Sequence, residues 1–278
     1  MTKTAKPAGA RRSPNRRHVI SAIAGMGAAA TAVGGLMRPV RAQTNAKTFV
    51  LVHGSWHGGW CWRRVADQLE RRGHKVFTPT LTGLGERSHL MSALITLDTH
   101  ITDVANVIKW EGLENVVLVG HSYAGFVISG VAEKALPSIG SIVYLDAFLP
   151  ENGQKVVDLS PPDLRATSFA AAAKNEVGRP VPPSRVFNVN EKDQAWVDSK
   201  MTPQPTFVSL QPIVLTGARD KIAKKTYIRA TAFPNPAFDA VLAKLKSNSA
   251  WRTYGVPCGH DVMVDMPDRL VEILLEVA

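Results

Sequence analysis

Residues 115–125 read N-V-V-L-V-G-H-S-Y-A-G, and F-V-I-S-G-V-A-E-K-A follows at 126–135. An apolar, β-branched run stops at Gly120-His121-Ser122, and small residues lead into a second apolar segment with helical spacing. The order is therefore strand, tight turn, helix. A serine on such a turn is either a helix N-cap or a nucleophile held on a sharp bend. A bend tight enough to expose its hydroxyl needs small residues two before and two after it; Gly120 and Ala124, with Gly125 next, supply them.

Outward from this stretch the same rhythm repeats. F-V-L-V-H-G (49–54), K-V-F-T-P-T-L (75–81), S-I-V-Y-L-D (141–146), K-T-Y-I-R-A-T (225–231) and W-R-T-Y-G-V (251–256) read as strands. Helical spacing appears at 62–73, 98–110 with Asp98 or Thr99 as cap, 126–135, about 236–246, and from Pro267 onward. Continuous rather than alternating apolar runs, each followed by a helix, predict an α/β fold with a mostly parallel sheet covered on both faces. Between about 150 and 225 the rhythm breaks at Pro161, Pro162, Pro180, Pro182, Pro183, Pro203, Pro205 and Pro212, which reads as a cap insertion over a pocket.

At 278 residues and 45% hydrophobic content, one substantial core is expected. The formal charge of +10 suggests a polyanion partner until it is located. Residues 1–42 hold eight basic side chains and no acidic one, leaving a body of about +2, and with that the argument for nucleic acid disappears. The leader itself runs from N-R-R-H-V-I-S (15–21) through a mildly apolar, Gly- and Ala-rich segment to P-V-R-A-Q (39–43). It resembles a twin-arginine export signal, with cleavage expected after Ala42, a mature chain of 43–278, and a periplasmic or secreted location without stable membrane insertion. Cys61 and Cys258 are too few for a disulfide framework and are expected as buried thiols.

In open α/β sheets ligands bind at the carboxyl ends of strands. The residues there are His53-Gly54-Ser55-Trp56, Gly120-His121-Ser122-Tyr123, Asp146 and Gly259-His260-Asp261. A serine, an acid and a histidine thus follow one another in the chain order of a hydrolase triad. His53 and His57 are spaced i, i+4, but on a Gly-rich turn with no further ligand, so no metal is expected. L-T-G-L-G (81–85) lacks the third glycine of a dinucleotide loop.

H-G-S-W-H-G-G-W-C-W (53–62), L-T-G-L-G-E-R (81–87), V-G-H-S-Y-A-G (119–125), V-Y-L-D-A-F-L-P (143–150) and G-H-D-V-M-V-D-M-P (259–267) together resemble the α/β-hydrolase superfamily. More narrowly they are similar to bacterial esterases and amide or carbamate hydrolases related to plant methylesterases and hydroxynitrile lyases. The resemblance covers 47–278 and departs from G-x-S-x-G in having Ala124. It implies Ser122 as nucleophile, His260 as general base, and an oxyanion hole from the backbone N–H groups of Ser55 and Tyr123. For the acid, Asp146 is preferred, with Asp239 and Asp220 as the other choices. Trp56, Tyr123, Phe148 and Trp196 are the expected pocket walls.

The function this implies is hydrolysis of a small or medium carboxylic ester through an acyl-serine, without cofactor, on a small-molecule substrate. Amide or carbamate cleavage uses the same residues. A lyase of the hydroxynitrile type needs a lysine after the catalytic histidine, where this chain has Asp261. A non-catalytic ligand receptor on the same fold is a further alternative.

Overall fold

The computed structural model describes residues 1–2 and 46–278, so the expected leader lies outside the described residues. Strand β1 (Thr48–Val52) leads through a short 3-10 turn to α1 (Arg63–Arg71), and β2 (Lys75–Phe77) follows. Next come α2 (Leu97–Trp110), β3 (Val116–His121), α3 (Ala124–Ala135) and β4 (Ile139–Leu145). The stretch after β4 holds α4 (Val156–Leu159), α5 (Pro162–Ala173), β5 (Gly178–Arg179), α6 (Glu191–Lys200) and β6 (Gln204–Pro205). The chain then returns through β7 (Lys224–Ala230), α7 (Pro236–Lys246), β8 (Trp251–Val256), α8 (Val262–Asp265) and α9 (Pro267–Val277).

Six of the strands form a parallel sheet in the order β2-β1-β3-β4-β7-β8. Alternate residues of each strand serve opposite faces. Val50 and Val52 pack with Ile101, Val104 and Ile108 of α2 and with Val127 and Val131 of α3. Phe49 and Leu51 pack on the other face with Val65 and Leu69 of α1 and Leu270, Val271 and Leu274 of α9. Both faces are buried, which explains why the strand sequences are continuously apolar.

Two local expectations are corrected. Strand β2 stops at Phe77 rather than Leu81, because Pro79 has no N–H for the ladder. Helix α2 begins two or three residues earlier than an Asp98 or Thr99 cap implies: Thr96 is the N-cap, and Thr99 accepts the Thr96 N–H on Oγ1 at 3.1 Å. The segment between β4 and β7 contributes no strand to the main sheet. Its β5 and β6 pair antiparallel, Arg179 opposite Gln204, beside the carboxyl ends of the parallel strands.

Candidate active site

The turn between β3 and α3 is strained at its centre. Ser122 has φ +55°, a left-handed value uncommon for a side chain with a Cβ. The surroundings enforce it. A Cβ on Gly120 would lie 2.8 Å from the Ala124 carbonyl oxygen, and one on Gly125 would overlap the Phe148 carbonyl oxygen. Ala124 fits where many such turns use glycine because the tight approach has moved one residue on, to Gly125. The Ser122 N–H is tied to the Leu145 carbonyl at 3.1 Å, and its own carbonyl accepts the Phe148 N–H at 3.2 Å.

Ser122 Oγ lies 2.8 Å from His260 Nε2, and His260 Nδ1 lies 2.6 Å from Asp146 Oδ2. His260 Nδ1–H donates to the carboxylate, so Nε2 is left to accept from the serine hydroxyl. Asp146 follows β4, sits at φ +42° and is fully buried. Asp146 Oδ1 accepts from Arg229 Nη1 at 2.7 Å and from the Ala230 N–H at 3.0 Å. Of the other two acids, Asp239 is 62% exposed and receives Arg229 Nε at 2.9 Å, and neither of its oxygens meets His260. Asp220 is 69% exposed on a 3-10 turn, and the apolar run before it forms no strand. Arg229 was not singled out from the sequence; a lone arginine in Y-I-R-A-T carries no signal of its partner.

Across the site, β1 ends in a loop that carries Ser55 and Trp56. The Trp56 N–H is taken by Gln204 Oε1 at 2.9 Å, whereas among the described residues the N–H groups of Ser55 and Tyr123 donate to no protein acceptor. Two free amides flanking Ser122 are available to a developing oxyanion. The Ser55 carbonyl is held from behind by His57 Nδ1 at 2.8 Å, and His57 Nε2 meets Asp261 Oδ2 at 2.9 Å. Burial opposes both charges, yet the pairing outweighs it: His57 is raised above its ordinary value and Asp261 held far below its own. The twin histidines of the turn are therefore structural. His53, which burial lowers to about 3, donates Nδ1–H to the Gly54 carbonyl and accepts the Leu81 N–H on Nε2.

A cavity of about 540 Å³, mouth included, opens over Ser122 and His260. Ser55, Trp56 and Phe148 line it, joined by Val156, Leu164, Arg179, Phe187, Phe233, Asn235 and Phe238. Trp196 does not reach it. Helix α6 turns that ring onto Trp60, with centroids 5.2 Å apart, and beneath the Arg64 guanidinium. Tyr123 is also displaced from the wall, its hydroxyl buried against His100 Nδ1 at 3.0 Å. Arg179 and Phe187 in a Pro-rich insertion, Phe233 and Asn235 in a loop, and Phe238 in the first turn of α7 had no signal in the sequence. Cys61 and Cys258 are free and buried, and burial pushes the Cys258 thiol up to about 12.

A family model described as alpha/beta hydrolase family matches residues 49–273. The carbendazim hydrolyzing esterase of Nocardioides sp. (strain SG-4G) is 43% identical over 235 residues, which cover 81% of this chain and 97% of that protein. Methylesterase 1 of Arabidopsis thaliana is 36% identical over 105 residues, 37% of this chain and 40% of that one. Among solved structures, an extracellular alpha/beta-hydrolase from a Paenibacillus species superposes with a TM-score of 0.73 at 25% identity, covering 84% of this chain and 99% of that one.

Proposed function

This chain belongs to the alpha/beta hydrolase family, and from that we propose that Ser122, His260 and Asp146 hydrolyse a small carboxylic ester in the cavity above them. It is a carboxylesterase-like hydrolase. One observation carries the residue roles: the unbroken path from Ser122 Oγ to His260 Nε2 and from His260 Nδ1 to Asp146 Oδ2, at 2.8 and 2.6 Å, on a strained turn.

In the first half-reaction His260 Nε2 takes the hydroxyl proton as Ser122 Oγ attacks the ester carbonyl carbon. The carbonyl oxygen becomes an oxyanion between the Ser55 and Tyr123 N–H groups. His260 then returns the proton to the departing alcohol oxygen, leaving an acyl-serine. Water attacks that ester by the same route in reverse, its proton passing through His260 to Ser122 Oγ as the acid leaves. Asp146 orients the imidazole and offsets its transient positive charge. Ester rather than amide cleavage is supported by the relatives, which are named an esterase and a methylesterase. The largely apolar and aromatic lining of the cavity suits a small, largely apolar ester.

The test is a panel of methyl and nitrophenyl esters against purified 43–278 and its Ser122→Ala variant. Turnover that vanishes with Ser122→Ala supports the reading; turnover that persists overturns it. We further propose that residues 1–42 are a twin-arginine-type signal, supported by Arg16-Arg17 and a weakly apolar, Gly-rich stretch ending at Ala42. A mature protein beginning at Gln43 outside the cytoplasm is the expected result, and an uncleaved cytoplasmic chain the contrary one.

A further inference from the structure

Arg179 is 5% exposed, yet it lines the cavity over Ser122 and His260. Its Nη2 donates to Ser209 Oγ at 3.0 Å, and its Nε is buried with no acceptor. The guanidinium lies over the Trp56 ring, 5.4 Å from the centroid. Among the described residues no carboxylate pairs with it. The contrast with Arg229, equally buried and held by Asp146 and Asp239, is direct. Burial without a carboxylate pulls the Arg179 guanidinium down to about 10, still protonated at neutral pH. A buried cation without a counter-charge is costly and uncommon in a folded protein.

Two further observations point to what would complete it. The lining of the cavity contains no Asp or Glu, so Arg179 is the one permanent charge on its wall. Gln204, the cross-strand partner of Arg179, spends Oε1 on the Trp56 N–H and keeps Nε2 buried without an acceptor. Paired residues of an antiparallel ladder put their side chains on one face. Two buried donors without acceptors therefore sit on one face of β5 and β6, and of the two Arg179 lines the cavity, where an oxygen acceptor would complete it. Trp56 fixes where that acceptor goes. Its indole Nε1 donates to the Pro180 carbonyl at 3.0 Å, and its neighbour Ser55 offers the oxyanion amide. A group bound at Arg179 is then in the one cavity that Ser55, Ser122 and His260 also line.

We propose that Arg179 is a specificity-determining residue that recognises a carboxylate carried by the ester substrate beside its scissile bond, as in a half-ester of a dicarboxylic acid. The inference rests on the hydrolase reading of the same cavity. The guanidinium presents two parallel N–H groups to a carboxylate, which a lysine cannot reproduce. Trp56, Phe148, Phe187, Phe233 and Phe238 give the rest of the wall its aromatic character, so an aromatic diacid matches the chemistry of the lining.

The probes are the monomethyl esters of the three benzenedicarboxylic acids, each against its neutral carbamoyl counterpart of the same shape. Wild type is expected to favour the charged member of at least one pair by about tenfold or more in kcat/KM. Arg179→Gln lowers that preference by about ten- to hundredfold, and Arg179→Lys restores part of it. Calorimetric titration of the Ser122→Ala protein with the three dicarboxylate dianions gives saturable binding that Arg179→Gln abolishes. The titration needs no turnover, so it decides the inference even where the esters are not hydrolysed, and it also decides if Arg179→Gln does not fold. A wild-type preference at or below one in all three pairs overturns the proposal, as does absence of binding by any of the dianions. Equal loss on charged and neutral esters in a folded Arg179→Gln protein overturns it too, and leaves Arg179 a support for Trp56.

Discussion

Arg229 donates from Nη1 to Asp146 Oδ1 at 2.7 Å, on the same fully buried carboxylate whose Oδ2 meets His260 Nδ1 at 2.6 Å. The acid that orients the imidazole is thus itself clamped by a cation on the neighbouring strand. Asp146→Asn keeps the shape but offers a donor where His260 needs an acceptor, so kcat is expected to fall by about 10³- to 10⁴-fold. Asp239→Asn and Asp220→Asn, on mostly exposed side chains, are expected to change kcat less than about threefold. Steady-state kinetics of the three variants decides among the acids.

Removing the clamp is a different matter from removing the acid. Arg229→Met leaves Asp146 buried without its charge partner, and the expected loss of stability is about 3–5 kcal/mol by urea denaturation. In an Asp146→Asn background the same change should cost less than half as much, because the stranded charge is gone. Equal costs in the two backgrounds would show that Arg229 acts by packing alone.

The buried pair beneath the oxyanion loop gives a pH dependence. His57 is raised above its unfolded value by Asp261, so its contribution is complete below about pH 6.5 and is lost as pH rises through the folded value. Asp261 is depressed, so its contribution is present above about pH 4 and is lost only in strong acid. The pair is therefore worth most between those limits. The destabilisation caused by His57→Gln, measured by denaturation, is expected to be larger at about pH 6 than at about pH 9. A pH-independent difference would mean that folding does not shift the His57 proton equilibrium, and a larger effect at about pH 9 than at about pH 6 that His57 is neutral in the folded protein.

The strained turn makes a sharper distinction between neighbours. Gly125→Ala drives a methyl into the Phe148 carbonyl and should cost about 1–3 kcal/mol together with at least about tenfold in kcat. Ala124→Gly, which restores the commoner turn sequence, should cost no more than about 1 kcal/mol and leave Ser122 in place. Thermal unfolding and ester hydrolysis of both variants test which residue carries the tight approach.

The sheet was legible because β1, β3, β4 and β7 lie in its middle, where both faces demand apolar residues and leave a continuous pattern. The edge was less so: the chain runs on as Thr78-Pro79-Thr80-Leu81 after Phe77, and Pro79, with no N–H for the ladder, marks where β2 stops. Ser122, His260 and Asp146 stood out because each follows a strand. Arg229 and Arg179 did not, since pairing across strands, or the want of a partner, is a fact of three dimensions. Trp196 was misread for the same reason: helix α6 is polar on most sides, and nothing in its sequence tells which way its one large ring turns.

The most direct measurement is the intact mass of 43–278 after treatment with a serine-reactive organophosphonate, beside its Ser122→Ala variant. One adduct on the wild type and none on the variant is the result expected of a serine activated by His260. No adduct on a folded wild type, or an equal adduct on the variant, would contradict Ser122 as the nucleophile.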